Sequence, residues 1–233
     1  MTLILLATGA GAQEISVDLG TGGDLLSERI VQMMILITVL SLVPGLAVMV
    51  TCFPFMVTVL AILRQGIGLQ TSPPNILIIS LALFLTYFVM EPVFLEAWAT
   101  GISPMADGVI STEEGIVRAI EPFRGFMATR VDPDTFVNLA DLRGEAPDQP
   151  MADAPLSILI PSFLLSEIER AFQVGFLIFL PFLVIDLVVA AILMSMGMMM
   201  VPPAIVSLPF KLAFFVVADG WTLVSGALVQ SYF

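Results

Sequence analysis

Five methionines fall within seven positions in the stretch Met194-Ser195-Met196-Gly197-Met198-Met199-Met200, between two long apolar segments. Thioether side chains are apolar, unbranched and polarizable, so such a cluster can close against surfaces of many shapes. The chemistry is physical, not covalent: a deformable apolar seal, with a Met-rich core patch as the other reading. A second set stands out by carrying charge inside apolar sequence, namely Glu167, Asp186 and Lys211, with Glu169, Arg170 and Asp219 close by. Ionisable groups in such surroundings mark either an ion or proton path or charge pairs that fix packing.

Covalent chemistry finds little to work with. The chain has no histidine, so His-based metal sites, proton relays and Ser-His or Cys-His catalysis are excluded. No cofactor or metal site is expected, and an intramembrane enzyme would lack its nucleophile–base pair. The single cysteine, Cys52, sits in apolar sequence and reads as a packed thiol. One lysine and seven arginines against a net charge of −12 argue against a nucleic-acid partner. With 58% hydrophobic and 12% charged residues and a mean hydropathy of +1.04, the chain belongs in or against a membrane.

The Met cluster needs a turn to present it. Gly197 and the Pro202-Pro203 pair interrupt helix on its far side, which predicts a helical hairpin with Met at its apex. If Met199 is the apex, Asp186 lies thirteen residues before it and Lys211 twelve after. A simple hairpin therefore brings those two to one height. The expectation is Asp186 with Lys211 within the chain. Placing Glu167, Glu169, Arg170, Asp186, Lys211 and Asp219 all in lipid would cost on the order of 15 to 20 kcal/mol. These helices must instead pack their charges on protein, in an oligomer, or lie partly outside the bilayer.

Five segments follow along the chain. Residues 1–12 read as a signal peptide, with Ala10-Gly11-Ala12 as the cleavage pattern; an uncleaved N-terminus is the alternative. Residues 13–29 form a polar leader. Residues 30–91 form an N-terminal apolar helical hairpin. Its uncharged run Ile30 to Leu63 would be about 50 Å long as one helix, and Pro44-Gly45 and Pro54 should bend or split it. Arg64 to Thr71 is the turn, Ser72 is expected as the N-cap of the next helix with Pro73 at its first position, and Glu91-Pro92 should end that helix. Residues 92–155 form an acidic segment: Glu96 to Asp153 holds eleven acids and four arginines. It belongs in water, on the periplasmic side by loop charge. Within it Ile116 to Arg130 is amphipathic, with Phe123 expected inward and Arg124 near Glu121. Pro147 to Pro155 reads as a linker. Residues 156–233 form the C-terminal hairpin with the Met-rich turn. The fold class is all-α.

The run Ile160 to Asp186, the Met turn, Leu208-Pro209-Phe210-Lys211 and Asp219-Gly220-Trp221-Thr222-Leu223 closely resemble the FliP family. So do Leu63 to Gly68, Gln70 to Asn75, Ile78 to Met90, Pro122-Phe123-Arg124 and Phe126-Met127. The Met turn is shared with the SctR relatives of injectisomes, while Pro202-Pro203 and the ending Gly226 to Ser231 resemble the flagellar branch. The resemblance implies an export-gate subunit of the flagellar type III secretion apparatus in the bacterial inner membrane and basal body. It implies a homo-oligomer, a pentamer in the usual picture, forming a helical cone with FliQ and FliR homologues and meeting other flagellar export components. Exported unfolded proteins would pass through it. The family's gasket maps onto Met198, Met199 and Met200, adjoined by Met194 and Met196. The resemblance also draws attention to Glu167 together with Lys211. In a simple hairpin these differ in height by about 30 Å at 1.5 Å per residue, so the pair would need a helix break, for which Pro181 is available, or a neighbouring subunit. The expectation is Glu167 with Lys211 across a subunit interface. The competing reading is an ion or proton carrier using Glu167, Asp186 and Lys211.

Overall fold

A computed structural model describes residues 23–69, 71–144, 150–198 and 200–233. The expected signal peptide, the leader as far as residue 22, Gln70, the linker's residues up to 149 and Met199 lie outside the described residues. The chain divides into two compact units, residues 1–44 and 45–233. No strand occurs among the described residues, and the fold is all-α.

The first unit holds most of helix α1 (Gly23–Met49), which continues through Pro44. The long apolar run breaks instead at residues 50–52, immediately before α2 (Phe53–Ile67). Pro54 sits in the first turn of α2, where an absent N–H leaves nothing unpaired. An apolar helix tolerates Pro44 because breaking the helix there would free more backbone groups than the one bond proline removes.

In the second unit α2 packs along α7 (Leu156–Ser195), the 40-residue helix at its centre. Phe55, Met56, Val59, Leu60 and Leu63 recur at helical spacing and are buried on one face of α2. Cys52, the sole cysteine, is enclosed in the same core with 0% exposure. Helix α3 (Asn75–Ala97) starts two residues later than expected, with Pro74 rather than Ser72 at the cap position. Arg64 closes the preceding turn by donating to the Pro73 carbonyl at 3.3 Å and to Asn75 Oδ1 at 2.5 Å.

The expected stop at Glu91-Pro92 is corrected as well. Helix α3 runs through Pro92 to Ala97, then through a π turn (Trp98–Ile102) into α4 (Ser103–Ala106). The boundary between residues 91 and 92 is thus no structural break. Packing against α5 (Thr112–Arg130) offsets the local cost of proline, about 3 kcal/mol in a helix interior. The two segments meet so closely at Gly101 that an added Cβ would lie 2.5 Å from the amide nitrogen of Ala119.

Ser111 caps α5, its hydroxyl accepting from the Glu114 amide at 3.2 Å, and Asp132 caps α6 (Pro133–Arg143), accepting from Thr135 at 2.9 Å. Those bonds from Thr135 hold the Asp132 carboxyl below its ordinary pKa. Met127, Phe136, Ala140, Leu159 and Phe163 form a second core between α5, α6 and the start of α7. Phe123 is half-buried against Phe94, with ring centroids 5.7 Å apart. Arg124 lies 3.6 Å from Glu121 and donates to the carbonyls of Ala152 at 3.1 Å and Ala154 at 2.5 Å, tying α5 to the residues before α7.

Helix α7 passes unbroken through Pro161 and Pro181. The break considered at Pro181 is absent. At 1.5 Å per residue α7 is about 60 Å long, twice a hydrocarbon core of about 30 Å. The returning arm is two helices: α8 (Pro203–Val217) and α9 (Gly220–Gln230), which meet at 62°. The elbow is fixed by Asp219, which adopts φ 48°, and by Gly220, where a Cβ would lie 2.1 Å from the Phe215 ring. Three described helical segments, Arg29–Met49, Asn75–Ala106 and Leu156–Ser195, are long and apolar enough to cross a membrane, and the bent α8–α9 pair is a fourth if counted as one span.

Candidate functional site

The last turn of α7 closes on Gly197, whose φ of 78° suits glycine. Its amide bonds the Met194 carbonyl at 3.1 Å, and the Met198 amide reaches back to Leu193 at 3.0 Å. This paired closure caps the helix and reverses the chain. Pro202 and Pro203 then open α8, where a fixed φ favours a helix start. The turn presents its side chains outward: Met194 is 61% exposed, Met196 66%, Met198 38% and Met200 98%. The core-patch reading is therefore corrected, because none of the four described methionines is buried. Below the turn, α7 and α8 leave an apolar groove of about 530 Å³, lined by residues that include Val188, Ile192, Met196 and Phe210.

Two charge clusters stand along α7. In the first, Lys211 Nζ lies 2.5 Å from Asp186 Oδ2, and Ser207 donates to Asp186 Oδ1 at 2.5 Å. The ammonium also donates to the Gly66 carbonyl at 3.1 Å. Lys211 is buried and Asp186 half-buried. Both arms of the hairpin thus meet at a neutralised pair, which the near-equal sequence distances from the apex could signal.

In the second cluster Glu167 has 0% exposure. Its Oε1 accepts from Arg130 Nε at 3.1 Å and lies 3.6 Å from Arg170 Nη1, and its Oε2 accepts from the Tyr232 hydroxyl. Arg130 also donates to the Ser231 carbonyl at 2.9 Å and lies 4.1 Å from the centroid of the Tyr232 ring. The expected pairing of Glu167 with Lys211 across an interface is corrected: residues of its own chain enclose the carboxylate on every side. Burial demands such partners, because an unpaired charge in this core would cost several kcal/mol. Sequence reasoning missed Arg130 and Tyr232. The available signal was weak: Arg130 ends the amphipathic segment, and Tyr232 is one of two tyrosines. Among the described residues no group of three or more Cys, Asp or Glu side chains could hold a metal ion.

A profile of the FliP family matches residues 36–228. The chain is 48% identical over 229 residues to the flagellar biosynthetic protein FliP of Caulobacter vibrioides, covering 98% of this chain and 86% of that protein. It is 44% identical over 205 residues to the Bacillus subtilis protein of the same name, covering 87% and 91%. With the Aquifex aeolicus protein of that name the identity is 40% over 236 residues, covering 100% and 98%. A family profile that spans most of the sequence and near-full-length relatives carry one conclusion: the chain belongs to the FliP family.

Proposed function

We propose that the chain is a non-enzymatic, channel-forming subunit of the flagellar type III protein export gate, through which unfolded flagellar proteins cross the inner membrane. The observation that carries this reading is the Met turn: an uncharged, outward-facing cluster of flexible apolar side chains at the tip of a hairpin. In a symmetric ring of copies each turn arrives at the axis, and an apolar ring blocks ions by resisting wetting. Thioethers then yield to polypeptides of differing shape. The partners are further copies of the chain, five by family likeness, with FliQ and FliR homologues and other export components of the basal body. Residues 92–155 stand on the periplasmic side.

The length of α7 supports a cone that rises out of the bilayer, since a helix of about 60 Å exceeds one hydrocarbon core. The ion-carrier reading draws no support from the geometry. Glu167 is held by Arg130, Arg170 and Tyr232, and Asp186 by Lys211, the arrangement that packing pairs require.

Replacing Met198, Met199 and Met200 together by Ala tests the seal. The assembled complex should admit ions or small dyes that the unaltered complex excludes. A fully assembled triple variant that stays tight would place the seal elsewhere.

A further inference from the structure

The single lysine touches three helices. Its ammonium joins Asp186 on α7, while its own helix α8 supplies Ser207 to the same carboxylate. Its remaining contact, the carbonyl of Gly66, belongs to the last turn of α2. Helix α2 ends in a left-handed cap at Gly68, φ 90°, whose amide and that of Leu69 take up the carbonyls of Gln65 and Arg64. The Gly66 carbonyl takes no part in that exchange. The last turn of a helix carries carbonyls without intrahelical partners and the negative end of its dipole, and here a buried cation from another helix meets the carbonyl of Gly66 in that turn. The surroundings are fitted to this approach, since a Cβ on Gly66 would lie 3.0 Å from the Phe182 ring.

The position of this contact along the hairpin matters. Asp186 lies nine residues before the end of α7 at Ser195, and Lys211 eight after the start of α8 at Pro203, about 12 to 14 Å from the Met turn at 1.5 Å per residue. Beyond it the hairpin projects freely: among the described residues from 187 to 206, Val189 and Leu193 alone are buried. The contact at Lys211 is thus where the projection is seated on the body of the chain.

We propose that Lys211 is the positioning residue of the Met turn, a latch that fixes the free end of the hairpin to the C-terminus of α2. The proposal rests on the gate reading above. Helix α7 is already packed on the end of α2, with Phe179 and Phe182 beside Gly66, so a pair confined to Asp186 and Lys211 would tie α8 to α2 only by way of α7. The bond to Gly66 ties α8 to α2 directly, and it requires a donor at position 211.

Charge exchange separates the latch from a simple pair. Asp186→Lys with Lys211→Asp preserves the attraction between α7 and α8 but turns a carboxylate toward the Gly66 carbonyl. The neutral combination Asp186→Asn with Lys211→Met leaves no unpaired charge and no latch, and it serves where the exchange fails to assemble. Ion leak is measured on the assembled complex, checked by size, in vesicles. Loss of a hydrogen bond to a charged group shifts a two-state equilibrium by roughly tenfold or more, so both double variants should leak about that much faster than the unaltered complex. Lys211→Arg, which keeps the cation, should remain tight. Tight double variants beside a leaking Met198, Met199 and Met200 triple Ala variant would overturn the latch and leave the gate standing. A tight triple variant would overturn the gate reading, and the latch with it.

Discussion

Glu167 is the most completely enclosed charge described, and its partners come from far along the chain. Arg130 lies 37 residues before it and Tyr232 65 after. The cluster gathers α5, α7 and the residues after α9, with Tyr232 also packed edge-on against Phe55 and face-to-face on Phe126. Removing one member of a buried pair strands the other, at about 3 to 5 kcal/mol. Arg130→Ala should therefore greatly reduce the amount of folded protein recovered from membranes. Tyr232→Phe keeps the ring and loses one bond to a charged acceptor, worth about 1.5 to 3 kcal/mol, and should lower the melting temperature in detergent without preventing folding. Equal melting of Tyr232→Phe and the unaltered protein would show that the hydroxyl adds nothing. Asp186 and Lys211 were legible because both count back to one apex. Nothing periodic links Arg130 or Tyr232 to Glu167, so that cluster exists only once α5 and α9 have been packed.

At the scale of elements, prolines misled in one direction. By local propensity Pro44, Pro92 and Pro181 each read as a bend, a break or an available break, and each lies inside a continuous helix. Local propensity lost because in apolar surroundings an interrupted helix exposes more unsatisfied backbone than a proline does. The breaks that were legible combine proline with another signal, as Pro202-Pro203 follows Gly197. Contacts such as that of Gly101 with α5 have no sequence signature beyond the glycine itself. Two glycines of this region should respond oppositely to alanine. Gly101→Ala meets backbone at 2.5 Å, and overpacking of this kind costs about 1 to 3 kcal/mol. Gly125→Ala, on the exposed side of α5 with nothing within 4 Å, should stabilise by about 0.4 to 1 kcal/mol by restricting the unfolded chain. Thermal denaturation in detergent reads both signs, and a stabilised Gly101→Ala would contradict the close approach.

For the whole molecule, the described surface carries large apolar side chains along every long helix, including Phe172, Phe176, Leu187 and Val188 on α7. Such a surface requires lipid or other protein, and the proposed assembly of copies would supply the second. If the Met turns meet at one axis, Met200→Cys should form disulfides between copies under mild oxidation, and a cysteine at Leu142 on α6 should not. Monomeric Met200→Cys complex after oxidation would mean the turns stand apart. The experiment is unusually clean because of where the chain keeps its one native thiol. Cys52 is sealed in the core, so a cysteine introduced on the surface becomes the sole reactive thiol without any preparatory substitution. The protein is in effect already a blank for site-directed labelling. A spin label or fluorophore carried in turn by the Met positions would report the distance between copies at the proposed aperture, in the native background.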